Sequence, residues 1–258
     1  MKFIDINCDM GEWPEDVFGG AQESLMPHIT SVNIACGGHA GDEKTMRATI
    51  QQAQRHHLAI GAHPGYADRA HFGRIELRLS PQEVADSVFE QVAALAKIAA
   101  ESGVTISHAK PHGALYNQAA RDPEIARAIA EGVARWNKSV MMIGLAGSQM
   151  LRVFAEAGFP VAAEAFADRR YESDGSLRSR KFGDALIADP AAAAARAVRI
   201  AQLGSVIAVN GKEIPLNAQT ICIHGDTRGA PQIAAAVITA LRGAGITPRA
   251  PLSPSPAS

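Results

Sequence analysis

An alternation of short apolar runs with longer amphipathic segments constrains the fold of this chain most strongly. Apolar runs predict seven strands, at residues 3–8, 31–36, 59–62, 105–110, 140–145, 161–166 and 220–224. Helical segments between such runs are typical of parallel strands joined by helical crossovers. The chain has 258 residues, and a single α/β barrel needs about 250. We therefore expect one (β/α)-barrel domain over residues 1–247.

Helix-capping residues mark where several crossovers begin. Ser80 and Glu83 form a capping box around a proline at the first helical position, and an apolar stripe follows at three- and four-residue spacing. Asp122 and Asp189 each precede a proline and begin two further helices, and Asp42 caps another. The predicted elements thus alternate in the order that a parallel barrel requires.

Three segments depart from this alternation. Residues 166–184 form a long, polar, Arg-rich connection, and such a connection in a compact domain is usually functional or mobile. Residues 205–216 contain Asn210-Gly211, which predicts a β-hairpin. The Pro/Ser-rich composition of residues 248–258 predicts a disordered tail.

Charge and hydropathy exclude several classes of function. The formal net charge is -1, so no basic surface for nucleic acid is expected. The N-terminal apolar stretch is interrupted by Asp5 and Asp9, which argues against a signal peptide, and no run approaches the roughly 20 apolar residues of a membrane span. Three widely spaced cysteines do not suggest a disulfide framework. We therefore predict a cytoplasmic protein that binds neither nucleic acid nor membrane.

Polar residues concentrate on one face of the predicted strands, toward their C-terminal ends. In the first strand Asp5, Asn7 and Asp9 share a face, whereas parallel strands buried on both faces usually read as continuous apolar runs. One buried ionisable residue is more often a satisfied core group than a catalyst. A converging set costs stability unless its members pair or bind a ligand. We predict a pocket at the C-terminal end of the barrel, lined by Asp5, Asn7, Asp9, Asn33, His39, His63, Lys110, His112, Glu164 and His224.

Lys110 lies in the most distinctive short motif, KPHGALY. Lysine is seldom buried without a partner, so this residue either stabilises an oxyanion or phosphate, or forms an ion pair with Asp5, Asp9 or Glu164. His112 in the same motif is a candidate for proton transfer.

The other motifs leave alternatives open. Glu12 is an acid, base or metal ligand, or a solvated carboxylate. Gly37-Gly38 either allows the backbone to approach a ligand or forms a tight turn. No nucleotide-binding fingerprint is present, so a nucleotide would need another site. The cations of the long connection either close over phosphate or are solvated: Arg169, Arg170, Arg178, Arg180 and Lys181.

Five segments together resemble the LamB/YcsF family, the A subunits of bacterial 5-oxoprolinase. They are IDINCDMGE, SVNIACGGHAGD, GAHPGYADRAHFGR, KPHGALYN and EAFADRRY, and the resemblance extends over residues 1–245. It implies an α/β fold, a seven-stranded (β/α) barrel of the glycoside hydrolase/deacetylase type. It also implies hydrolysis of 5-oxo-L-proline to L-glutamate coupled to cleavage of ATP, with subunits B and C as partners and with Mg accompanying the ATP.

The residues and the resemblance together predict the site. We expect five catalytic residues: Asp9, His63, Lys110, His112 and Glu164. We expect eight substrate-binding residues: Asn7, Glu12, Asn33, Gly37, Gly38, His39, Arg169 and His224. One alternative is a metal-dependent deacetylase-type hydrolase that acts alone, with an ion held by Asp9, His39 and His63. Another is a substrate-binding subunit whose chemistry lies on a partner.

Overall fold

Seven parallel strands close into a barrel in the computed structural model, which describes residues 2–251. The barrel strands are β1 (Lys2–Met10), β2 (Ser31–Ala35), β3 (Ala59–His63), β4 (His108–Ala109), β5 (Met141–Leu145), β6 (Val161–Phe166) and, after the hairpin β7 (Ser205–Ile207) and β8 (Glu213–Pro215), β9 (Thr220–Cys222). β1 pairs with both β2 and β9, and β9 pairs with β6, which closes the ring. The predicted seven-stranded (β/α) barrel is confirmed.

Helices surround this barrel as the caps predict. They are α1 (Pro14–Phe18), α2 (Glu43–Arg55), α3 (Pro81–Glu101), α4 (Gly113–Arg121), α5 (Pro123–Trp136), α6 (Gln149–Glu156), α7 (Pro190–Leu203) and α8 (Ala230–Gly243), with 3₁₀ turns at Glu23–His28 and Arg69–His71. The capping box is formed in both directions at α3, where Ser80 N donates to Glu83 Oε2 at 2.7 Å and Glu83 N donates to Ser80 Oγ. Among residues 2–251, no helix is long and apolar enough to cross a bilayer.

Two barrel strands are shorter than predicted by more than one residue. The fourth is regular only at His108–Ala109, although Ser107 N and Lys110 N still donate to Ile60 O and Ala62 O of β3, and Pro111 beyond them has no N–H to donate. The seventh ends at Cys222 because His224 N donates to the Asp168 carboxylate instead of a neighbouring strand. The hairpin is confirmed, since β7 and β8 pair antiparallel.

The last described strand lies beside the first. β10 (Ile246–Pro248) pairs in parallel with the first residues of β1, and Arg249 N donates to Ile4 O at 2.9 Å. This pairing extends two residues into the segment predicted to be a tail. Residues 252–258 of that prediction lie outside the described residues.

The long connection after β6 is folded against the barrel mouth. Antiparallel bridges join Arg169 to Leu186 and Tyr171 to Leu177. The Tyr171 side chain is fully buried, and its hydroxyl oxygen accepts a hydrogen bond from Phe166 N at 2.9 Å. The connection is therefore anchored at the C-terminal ends of the strands, where the polar residues of the barrel gather.

Candidate active site

The innermost polar residue lies below the candidate site. Asp5 is fully buried and accepts hydrogen bonds from the hydroxyls of Thr30, Ser31 and Thr220. Burial raises the pKa of Asp5 to about 6, although these hydroxyls oppose the shift. Asp5 thus belongs to a satisfied network in the barrel interior and does not border the cavity described below.

Two asparagines form the next layer and are saturated by their neighbours. Asn7 Nδ2 donates to Glu164 Oε1 at 2.9 Å. Asn33 Nδ2 donates to Asn7 Oδ1 at 2.7 Å and to Asp9 Oδ1 at 2.8 Å. Asn33 Oδ1 accepts from His108 Nε2 at 2.9 Å. These amides position the two carboxylates, and neither asparagine borders the cavity.

Lys110 joins both carboxylates at the C-terminal end of β4. Its Nζ lies 2.9 Å from Asp9 Oδ1, 2.9 Å from Glu164 Oε1 and 3.2 Å from Cys222 Sγ. Burial would lower the pKa of Lys110, but Asp9 and its other neighbours raise it well above the usual value. Burial would likewise raise the pKa of Asp9, yet the charges of His63 and Lys110 hold it well below its usual range. The structural ion pair predicted as one alternative for Lys110 is therefore present.

A second cluster contains three histidines and one carboxylate. His39 Nε2 lies 3.2 Å and His112 Nδ1 lies 3.4 Å from Glu12 Oε1, and His63 Nε2 lies 3.0 Å from His112 Nδ1. Burial and neighbouring histidines lower the pKa of His39 and of His112 well below the usual value. Burial raises the pKa of Glu12. We call these four residues the histidine cluster.

The predicted metal trio of Asp9, His39 and His63 is divided between two groups. His39 and His63 belong to the histidine cluster, whose ligand atoms all lie within 4.8 Å of one another. Asp9 falls in a second such group with Cys222 and His224, and its Oδ2 lies 3.3 Å from His63 Nε2.

His224 borders the cavity described below and is paired with Asp168, a residue that sequence reasoning did not identify. Asp168 is fully buried, and its two carboxylate oxygens lie 3.0 and 3.1 Å from His224 Nδ1. The same carboxylate accepts from Thr227 Oγ1 at 2.8 Å. Glu164 and Asp168 have the same parity, so extending the alternation of β6 by two residues would have identified Asp168.

A cavity of about 1160 Å³ opens at the barrel mouth. The predicted residues that line it are Asp9, Glu12, His63, Lys110, His112, Arg169 and His224. Those that do not line it are Asn7, Asn33, Gly37, Gly38, His39 and Glu164. The cationic residues of its wall also include Arg74, Arg121, Arg180 and Lys181.

The glycine pair packs against protein. Gly37 has a φ of +95°, in the region that favours glycine, and its carbonyl accepts from Arg69 Nη2 at 3.1 Å. A Cβ at Gly38 would overlap with Gln91 Oε1 on α3. The close approach that these glycines permit is therefore to the chain itself.

Arg169 brings a nearly buried cation to the cavity. Its side chain is 8% exposed, Nη2 donates to Arg178 O at 2.7 Å, and Nε has no hydrogen-bond partner. No carboxylate of residues 2–251 lies within ion-pair distance of this guanidinium. A buried guanidinium without an acidic partner, facing a cavity, is suited to bind an anion.

Comparison with known proteins agrees with this architecture. The LamB/YcsF family model matches residues 4–255. The A subunit of 5-oxoprolinase from Chloroflexus aggregans is 49% identical over 251 residues, covering 97% of this chain and 100% of the relative. That of Brevibacillus brevis is 43% identical over 247 residues, covering 96% and 97%. A crystal structure of a lactam utilization protein from Thermus thermophilus has a TM-score of 0.89 and 39% identity, covering 96% of this chain and 99% of that one. The chain belongs to the LamB/YcsF family.

Proposed function

We propose that this chain is the A component of an ATP-dependent 5-oxoprolinase, which hydrolyses 5-oxo-L-proline to L-glutamate while ATP is cleaved to ADP and phosphate. The names of relatives at 43–49% identity over nearly the whole chain support this proposal. The structural observation that carries it is the cavity. Arg169, whose guanidinium has no acidic partner among residues 2–251, lines the same space as the Asp9 carboxylate and as His224, which is paired with Asp168.

The proposed reaction has a demanding first step, because a lactam amide is a poor electrophile. Transfer of the γ-phosphoryl group of ATP to the lactam carbonyl oxygen releases ADP and makes the carbonyl carbon open to attack. Water then adds to that carbon, the C–N bond breaks, the ring nitrogen takes up a proton, and phosphate leaves. Such a site needs cations for phosphoryl oxygens and a base for the water.

Arg169 supplies the first of these requirements in our proposal. It binds either the phosphoryl group or the substrate carboxylate. Lys181 from the same connection lines the same cavity, as does Arg180, whose Nη1 lies 2.8 Å from Asp226 Oδ2. Lys110 is less suited to bind phosphate, because its ammonium already donates to Asp9 and Glu164. We assign to Lys110 the task of holding both carboxylates in place.

His224 supplies the base in our proposal. The lowered pKa of Asp9 makes that carboxylate a weak base. Asp168 accepts the Nδ1 proton of His224, which leaves Nε2 of the neutral ring able to take a proton from water. The sequence predicted Asp9 and His63, but not His224, among the catalytic residues, whereas the hydrogen bonds favour His224 as the base.

The proposed complex includes subunits B and C, and MgATP is its co-substrate. The cations of the cavity wall fit a polyphosphate, although the chain contains no phosphate-binding fingerprint. All three cysteines are free thiols, which is compatible with the cytoplasmic location that we propose.

The test is 5-oxoproline-dependent release of phosphate from ATP, with this chain alone and with B and C. We expect activity only in the full mixture. Arg169→Gln should raise KM for ATP or 5-oxoproline by about 10- to 100-fold, because a hydrogen bond to a charged group contributes about 1.5–3 kcal/mol. The matched control is Arg170→Gln, since Arg170 is exposed and does not line the cavity. Equal kinetics for both variants would contradict the role of Arg169.

A metal-dependent hydrolase that acts alone is the second candidate, and the histidine cluster favours it. It requires that the isolated chain turn over an amide or acetyl substrate without ATP. It also requires that a chelator abolish this activity. Activity that needs both ATP and the partners would reject it. A third alternative is a complex in which this chain only binds substrate. Loss of turnover in Asp168→Asn without weaker substrate binding would reject that alternative.

A further inference from the structure

Two buried rings of the histidine cluster each direct one nitrogen at the other ring. His63 Nδ1 lies 2.8 Å from Lys110 O, and His112 Nε2 lies 2.9 Å from Phe72 O. A carbonyl oxygen only accepts, so each of these two nitrogens carries a proton. The nitrogens that face each other, His63 Nε2 and His112 Nδ1, lie 3.0 Å apart, and they attract each other only through a cation between them, either a proton or a metal ion.

Three of the six separations between the ligand atoms of the cluster are close to those that a tetrahedral metal ion requires. Ligands about 2.0–2.1 Å from such an ion are about 3.3 Å from one another. The three measured separations in the cluster are 3.0 Å for His63 with His112, 3.4 Å for His112 with Glu12 and 3.2 Å for His39 with Glu12. The other separations are within 4.8 Å, so small side-chain rotations complete the geometry.

The surrounding backbone holds the rings closely. A Cβ at Gly65 would lie 2.7 Å from His39 Nδ1, and a Cβ at Gly73 would lie 2.7 Å from His39 Cβ. The two backbone carbonyls orient His63 and His112, as the acceptors behind histidine ligands do at metal sites. The rings of His39 and His112 are stacked, with 3.6 Å between centroids, so binding requires them to tilt about χ2. That torsion is intrinsically broad for histidine.

We propose that Glu12, His39, His63 and His112 bind one divalent transition-metal ion, with zinc the best fit to three imidazoles and one carboxylate. This ligand set disfavours Mg²⁺ and Ca²⁺, which prefer oxygen. Glu12, His63 and His112 line the cavity, so the ion would lie in its wall beside Asp9. The proposal does not depend on the proposed function, because binding can be measured without substrate or partner.

The test uses the full chain, treated with chelator and then titrated with Zn²⁺ by calorimetry. Co²⁺ substitution gives a second readout, since a tetrahedral site produces strong visible absorption bands. We expect one ion per chain. Losing a hydrogen-bond partner of a ligand costs metal sites about 10- to 100-fold in affinity, so losing a ligand itself in Glu12→Gln or His39→Gln should cost about 100-fold or more. The control is His71→Gln, because His71 is exposed and outside the cluster.

A proton is the competing occupant of the space between His63 and His112. If a proton occupies this space, the wild-type chain binds no stoichiometric metal ion. The ¹⁵N spectrum then shows His63 Nε2 protonated both before and after addition of metal. That result would overturn the proposal, as would equal zinc affinity in the wild type and both ligand variants. Circular dichroism verifies the fold of each variant, and His39→Gln decides the outcome if Glu12→Gln does not fold.

Discussion

Replacing Asp168 with asparagine tests the proposed base most directly. The carboxylate is fully buried and accepts from His224 Nδ1, from His224 N at 3.0 Å and from Thr227 Oγ1. Every neighbouring group is a donor, so only an acceptor with two oxygens satisfies all of them. Asparagine has the same shape but replaces one oxygen with an NH₂ group, which is itself a donor.

The size of the effect follows from this geometry. The amide must direct its NH₂ either at the backbone N–H or at Nδ1 of His224. The first option costs about 1–3 kcal/mol for an unsatisfied buried donor. The second requires the histidine to move its proton to Nε2, which removes the lone pair that the proposed base needs. General-base catalysis contributes about 10²–10⁴-fold, so we expect kcat to fall by about 100-fold or more, with KM little changed.

The assay is 5-oxoproline-dependent ATP hydrolysis by the assembled complex, with kcat and KM determined separately. Asp184→Asn is the matched control, because Asp184 is an exposed acidic residue of the same connection. A merely structural role for Asp168 would lower the amount of folded protein and leave kcat per folded chain unchanged. If Asp168→Asn retained kcat within about threefold of the wild type, His224 could not be the base that we propose.

Three further predictions concern the barrel interior. Lys110→Met leaves the carboxylates of Asp9 and Glu164 without their cation and should lower the free energy of unfolding by about 3–5 kcal/mol. Urea titration measures this change, and an unchanged midpoint would contradict the ion-pair role. Burial raises the pKa of Asp5 from 3.8 to about 6, so its contribution is fully present below about pH 4 and lost as pH rises through 6. The wild type should therefore lose about 2 kcal/mol relative to Asp5→Asn between pH 4 and 7, and parallel pH profiles of unfolding would refute this shift. Gly61→Ala would place a Cβ in overlap with His108 Nε2 and should lower Tm by several degrees, whereas an unchanged Tm would show that the ring moves freely.

The alternation of side chains along the first strand is the most informative part of the sequence. It predicts that Asp5, Asn7 and Asp9 share a face, and all three belong to the polar network of the barrel interior. Alternation fixes the face of a residue but not its height along the barrel. For that reason the sequence could not show that Asp5 lies below the cavity while Asp9 borders it.

The residues on loops are harder to place, because loop geometry depends on distant packing. The sequence of Gly37-Gly38 indicates only that the backbone approaches something closely, and Gln91, more than 50 positions away, is what it approaches. Sequence reasoning does not find Asp168, because this residue follows the last predicted residue of its strand, inside a connection of unassigned conformation. Its role depends on His224, which no local sequence signal associates with it.

The saturation of the inner network has a consequence for interpreting any variant of this site. Asn7, Asn33 and Glu164 direct their polar atoms at one another and at Lys110, so their loss changes stability before it changes chemistry. Arg169 lines the cavity without an acidic partner among residues 2–251, and His224 lines it with Nδ1 paired to Asp168. A chain that contributed only the scaffold of a shared site would have no need for such groups. Their presence at one cavity therefore favours a chain that binds substrate and takes part in its chemistry.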